Sequence, residues 1–145
     1  MVKPIDVRFY FMSEHGKKPI TQDEHRIADI IIKQVMHLAP AFGINRDFAV
    51  VICDEWAYLD HYKFRKTSAM HYQEGNKKTI GGKEAIFIRM STLFLRKEDW
   101  REILKHELVH MKLKGKEGKW DEHGKLFQET ARKEGLSKKY QKKVA

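Results

Sequence analysis

The sequence predicts an α+β domain in which helices pack against a small mixed β-sheet. Three observations carry that reading. Residues 5–11 alternate apolar with polar. Short apolar runs recur near 48–52, 69–73 and 84–90, separated by turn-forming residues. Two longer segments, 22–39 and 97–114, repeat apolar residues at helical spacing. No repeat, low-complexity tract or linker divides the chain. It reads as one domain over residues 1–145, with a basic tail from about residue 136.

Ile5, Val7, Phe9 and Phe11 alternate with Asp6, Arg8 and Tyr10, the pattern of a half-buried strand. Gly16-Lys17-Lys18-Pro19 reads as a turn. Thr21 and Glu24 form a capping-box pair, and Ile27, Ile31, Val35 and Leu38 give the following helix its buried stripe. Pro40 is expected to end that helix. Phe48, Val50 and Ile52 belong to a second strand. Residues 69–73 and 84–90 read as a third and fourth, with Gly75-Asn76 and Gly81-Gly82 marking their connection. Between them, residues 56–66 mix aromatics with bases. Such a stretch either stacks exposed nucleic-acid bases or folds its rings inward and leaves its lysines wet.

The segment from 97 opens with Glu98 and Asp99, which favour a helix N-terminus through the macrodipole. Trp100, Leu104, Leu108 and Met111 define its buried stripe. Ile103, His106, His110 and Leu113 form an adjacent stripe, so the histidines sit at the border of the core. Gly115 and Gly118 supply the break after the last turn.

His106-Glu107-Leu108-Val109-His110 is an HExxH motif. On a helix the fourth residue along lies only ~40° round the axis and ~6 Å further on, so both imidazoles can reach one metal ion. Glu107 is then placed beside a metal-bound water rather than on the metal. In a chain of 145 residues with 8 histidines the motif arises by chance with a probability of ~4%. Context therefore has to support it. A catalytic zinc takes three protein ligands and keeps one position for water. His123 follows a glycine-containing stretch and shares a helical face with Phe127, beside a second periodic run of Leu126, Thr130, Ala131 and Glu134. It is the candidate third ligand; the alternative is a histidine that merely caps or packs at a helix start.

His106-Glu107-Leu108-Val109-His110 followed by His123-Gly124-x-x-Phe127 resembles the SprT-like zinc metallopeptidases, which include the Spartan-type proteases that digest proteins crosslinked to DNA. The likeness extends upstream to residues 84–91, matching the strand and turn that precede the active helix in such domains. It spans roughly residues 45–135, and its two histidine motifs are the specific part. The resemblance implies a zincin-like fold, a Zn²⁺ ion on His106, His110 and His123, Glu107 as general base, and a protein or peptide substrate. In that reading Ile86-Phe87-Ile88 forms the sheet edge beside the cleft, where an extended peptide can pair. Many relatives continue into a cysteine-rich zinc ribbon, whereas this chain has one cysteine.

Cys53 lies in an apolar stretch and reads as a small buried hydrophobe. The longest apolar run, Ile30-Ile31-Ile32, is far too short to span a bilayer, and no signal-peptide core follows Met1, so a cytoplasmic location is expected. The net charge of +9 is uneven: residues 112–143 hold eleven Lys or Arg against five Asp or Glu. That surface suits DNA through salt-sensitive electrostatic binding; a solvated helix that keeps the chain soluble is the plainer account. His15, His25, His37, His61 and His71 share no ligand spacing. His71, Tyr72, Arg132 and Tyr140 are candidates for a hydrogen bond to an oxyanion. The function expected is zinc-dependent endopeptidase chemistry through a Glu-activated, zinc-bound water. The competing readings are a zinc hydrolase acting on nucleic acid, and a nucleic-acid-binding module with a structural metal.

Overall fold

A computed structural model describes residues 12–13, 16–17, 22–72, 84–114 and 123–141. The expected strand at 5–11, Thr21 of the capping box, the connection at 75–82 and the glycines at 115 and 118 lie outside them. Two short strands, β1 (Met12–Ser13) and β2 (Gly16–Lys17), pair antiparallel, so Gly16 and Lys17 close a hairpin rather than form its turn.

Helix α1 (Gln22–Ala41) buries Ile31, Val35 and Leu38 as its spacing predicts. It runs two residues beyond the expected stop, with Pro40 inside its last turn. The reason lies just downstream. The Ile44 amide donates to the Ala39 carbonyl (3.0 Å) and the Gly43 amide to the Pro40 carbonyl (2.9 Å), while Gly43 holds φ at +77°. That is a Schellman stop, so the left-handed glycine ends the helix and the proline does not. The same device closes α3 (Lys125–Lys133): Leu136 donates to Ala131 and Gly135 to Arg132, with Gly135 at φ +81°.

Strand β3 (Ala49–Cys53) runs parallel to β5 (Ala85–Arg89), and β4 (Ala69–Tyr72) runs antiparallel to β5, giving the order β3-β5-β4. All of β3 and residues 85–88 of β5 are buried, because both faces of the sheet are covered. Alternate side chains divide between two clusters, as a two-residue period requires. Val50, Ile52, Ile86 and Ile88 meet the helices. Ala49, Val51, Cys53, Ala85 and Phe87 meet the segment after β3, which forms a π-helical turn at Trp56–His61.

This placement decides two of the expectations. Tyr58 is fully buried and Phe64 is 6% exposed, and both pack on Phe87, or through each other, beneath the sheet. Their rings are core and do not stack bases; Lys63, Arg65 and Lys66 stay exposed. Second, Ile86-Phe87-Ile88 is not the sheet edge. Among the described strands β5 is central, and the outer one that packs beside the HExxH helix is β4.

A 3-10 turn (Met90–Phe94) leads from β5 into α2 (Lys97–Lys112). The Thr92 hydroxyl donates to the Ser68 carbonyl at 2.7 Å and ties that turn to the start of β4. No helix among the described residues is long and apolar enough to cross a membrane. Leu136 is buried in the main cluster, so residue 136 is a core anchor and not the start of a solvated tail. The chain beyond it makes another 3-10 turn (Lys138–Tyr140) against α2.

A Cβ at Gly43 would meet nothing within 4 Å, so its substitution is purely a backbone matter. Gly43→Ala should lower stability by about 1 kcal/mol through the left-handed backbone, read as a lower urea midpoint at unchanged slope.

Candidate metal centre

Helix α2 is buried on more faces than its sequence period indicates. Besides the expected stripe of Trp100, Leu104, Leu108 and Met111, it buries Ile103, His106, Glu107 and Val109. It packs against β4, α1 and α3. Two ionisable side chains, His106 at 3% exposure and Glu107 at 6%, therefore lie inside the protein. Burial of such groups is costly unless partners meet them.

For the histidines the partners are each other. His106 and His110 project from successive turns of α2, and His123 stands just before the Gly124 N-cap of α3. The Gln128 amide donates to the His123 carbonyl at 2.8 Å and fixes the approach to that helix. The Nε2 atom of His123 lies 3.2 Å from Nε2 of His106 and 3.1 Å from Nε2 of His110. One ligating atom from each of the three rings fits within 4.8 Å of the others. Three imidazole nitrogens on a tetrahedral ion at ~2.05 Å would sit ~3.3 Å apart, and these two spacings are compatible with a shared metal. The group can hold a metal ion. His106 is buried, while His110 and His123 are half-buried, so the cluster opens towards solvent on one side.

Phe127 forms the wall behind it. The ring is fully buried, with its centroid 4.8, 4.4 and 5.0 Å from the rings of His106, His110 and His123. One aromatic thus limits the rotation of all three imidazoles. The link between the two helices is tightened by Lys112 at the end of α2, whose ammonium donates to Glu134 after α3 at 2.6 Å.

Glu107 follows His106 directly on α2. Its negative charge is felt at Tyr58, whose hydroxyl titrates above its ordinary range. Burial is the main cause, a bond to Thr67 at 2.8 Å opposes it, and Glu107 adds to it. Cys53, packed in the lower cluster, has its thiol pushed up to about 12 by burial and by nearby Asp54.

Of the oxyanion candidates, Arg132 is exposed in the last turn of α3. His71 is committed elsewhere. Its Nε2 lies 2.6 Å from Glu84 Oε2, and Glu84, only 2% exposed, also receives Arg46 Nε on Oε1 at 2.6 Å and Nη2 on Oε2 at 3.0 Å. Sequence reasoning missed this cluster. The available signal was a lone carboxylate, Glu84, directly before four apolar residues of a strand. Burial alone would raise the carboxyl of Glu84, but the bonds from His71 and Arg46 outweigh it and hold the group down at about 2.

Comparison of the chain with family models, with curated proteins and with solved structures returned no match. The site's chemistry is therefore read from its own residues.

Glu84 titrates lower in the folded chain than its ordinary value of 4.5, so its stabilisation is present above that pH and is lost as pH falls towards 2. The difference in stability between wild type and Glu84→Gln should be about 3 kcal/mol at pH 7 and should shrink steadily below pH 4.5. Urea unfolding of both proteins across that range measures it.

Proposed function

We propose that this chain is a zinc-dependent metallopeptidase of the SprT-like kind, with His106, His110 and His123 as ligands and Glu107 as general base. The observation that carries the reading is the His123 Nε2 atom, 3.1–3.2 Å from Nε2 of both His106 and His110, near the buried carboxylate of Glu107 on α2. The donor set fits zinc: three close imidazoles, no thiolate among them, and an open side where His110 and His123 are half-buried. An open side favours a catalytic over a closed structural site. Zn²⁺ held there supplies Lewis acidity and brings the pKa of a coordinated water to about 7.

The chain's own residues do the rest. The imidazoles define the ion's position, and the Phe127 wall keeps them from swinging away. Glu107 takes the proton of the attacking water and delivers it to the departing amine. The outer strand β4 beside α2 offers backbone groups to an extended peptide, which would make cleavage depend weakly on substrate side chains. This supports a zincin-like arrangement with β4 in the position the sequence assigned to β5.

Proteins bound or crosslinked to DNA are the substrate class that the charge supports. The chain carries +9, with Lys63, Arg65, Lys66, Arg132, Lys133, Lys138 and Lys139 exposed. Such a surface collects polyanions without reading sequence.

Glu107→Gln should retain one zinc per chain and lose protein cleavage by at least a hundredfold. His123→Ala should lose both. Metal analysis and a cleavage assay, with and without single-stranded DNA, check this. Undiminished cleavage by Glu107→Gln would overturn the assignment, and cleavage indifferent to DNA would leave a general peptidase.

A further inference from the structure

Glu84 is a buried charge that the proposed chemistry does not use. Its partners come from three separate places: Arg46 before β3, His71 on β4, and Lys114 after α2, whose ammonium is 4.0 Å from Oε1. Glu84 itself opens β5, where its carbonyl accepts the Ala49 amide at 2.9 Å. Every strand of the three-stranded sheet is thus tied to this one residue.

Arg46 extends the tie to the metal helix. Its Nη2 also donates to the Met111 carbonyl at 2.6 Å. Met111 lies in the last turn of α2, where carbonyls lack the amides of a further turn. Among the described residues the Lys114 amide also approaches that carbonyl, at 3.3 Å. A cation at this end also meets the negative pole of the helix. Nη2 has two hydrogens, one for Glu84 Oε2 and one for Met111, while Nε–H serves Oε1. The guanidinium is therefore held by Glu84 in the one orientation that grips the helix end. The residue directly before Met111 is His110, a proposed ligand.

We propose that Glu84 and Arg46 are positioning residues for the metal centre: an ionic clamp, anchored on the buried Glu84, that fixes the last turn of α2, and with it His110, against β4 and β5. The clamp rests on the metal-ligand reading of the three histidines and extends it. Neither residue touches the ligands; they act through the backbone at Met111. Three donors must hold their spacing before an ion arrives, and a helix end free to fray would let one of them drift. A side chain that only added stability would leave the affinity of the folded site for metal unchanged.

The test compares wild type, Arg46→Lys, Arg46→Met and Glu84→Gln as full chains, in conditions where circular dichroism shows each to be folded. Zinc affinity is measured by chelator competition, and site geometry by the visible absorption of the Co²⁺-loaded proteins. Lysine keeps a positive charge near Glu84 but cannot serve the carboxylate and the Met111 carbonyl in the same fork. Arg46→Lys should therefore weaken zinc about tenfold and lower the intense Co²⁺ bands of a tetrahedral site, with Arg46→Met and Glu84→Gln at least as severe. Variants that lose stability yet keep wild-type affinity and spectrum would overturn the clamp and leave the metal site standing. A wild-type chain that binds no zinc would overturn the metal reading and the clamp together.

Discussion

The burial of half of α2, ionisable side chains included, governs what the rest of this molecule can be. A helix packed against a strand and two other helices excludes water from the faces it buries, yet this one carries His106 and Glu107 into the interior. Placing an ionised carboxylate in such surroundings costs several kcal/mol unless charge or hydrogen bonds answer it. A sequence selected only for stability would place apolar residues there. The histidines instead converge on a point, and the fully buried Phe127 closes that point from behind.

The two buried carboxylates show two different solutions to the same problem. Glu84 is met by a guanidinium and an imidazole, and its carboxyl is held far below the ordinary range. It is a fixed charge serving structure. Glu107 lies on the helix of the proposed ligands, where a divalent ion would be the largest local charge. In the proposed mechanism that proximity lets Glu107 act as a base on the attacking water. The end of α2 is thus tied through Arg46 to a locked acid, Glu84, whereas Glu107, on α2 itself, is the proposed working one.

Much of this was legible in the sequence because it was local. The i, i+4 spacing of His106 and His110 needs only a helix, and His123 with Phe127 needs only one further turn of chain. The α+β composition followed from alternation and from helical stripes, and the structure shows a three-stranded mixed sheet with helices. What the sequence left hidden depends on strand order and on pairs distant in the chain. Nothing in the run 85–88 says whether it is central or at an edge, since a fully apolar strand is compatible with either until its neighbours are known. Arg46 and Glu84 are 38 residues apart, and neither belongs to a motif. Pro40 misled as a helix stop because the signal that mattered, Gly43 in the left-handed region, lay three residues further on.

The most direct measurement is zinc K-edge X-ray absorption on the chain reconstituted with one equivalent of metal. Three imidazole nitrogens and one light oxygen-type scatterer, all at about 2.0–2.1 Å, are the predicted first shell. A four-imidazole shell, a sulfur scatterer at about 2.3 Å, or a loose six-oxygen shell would contradict the three-histidine centre with an open fourth position.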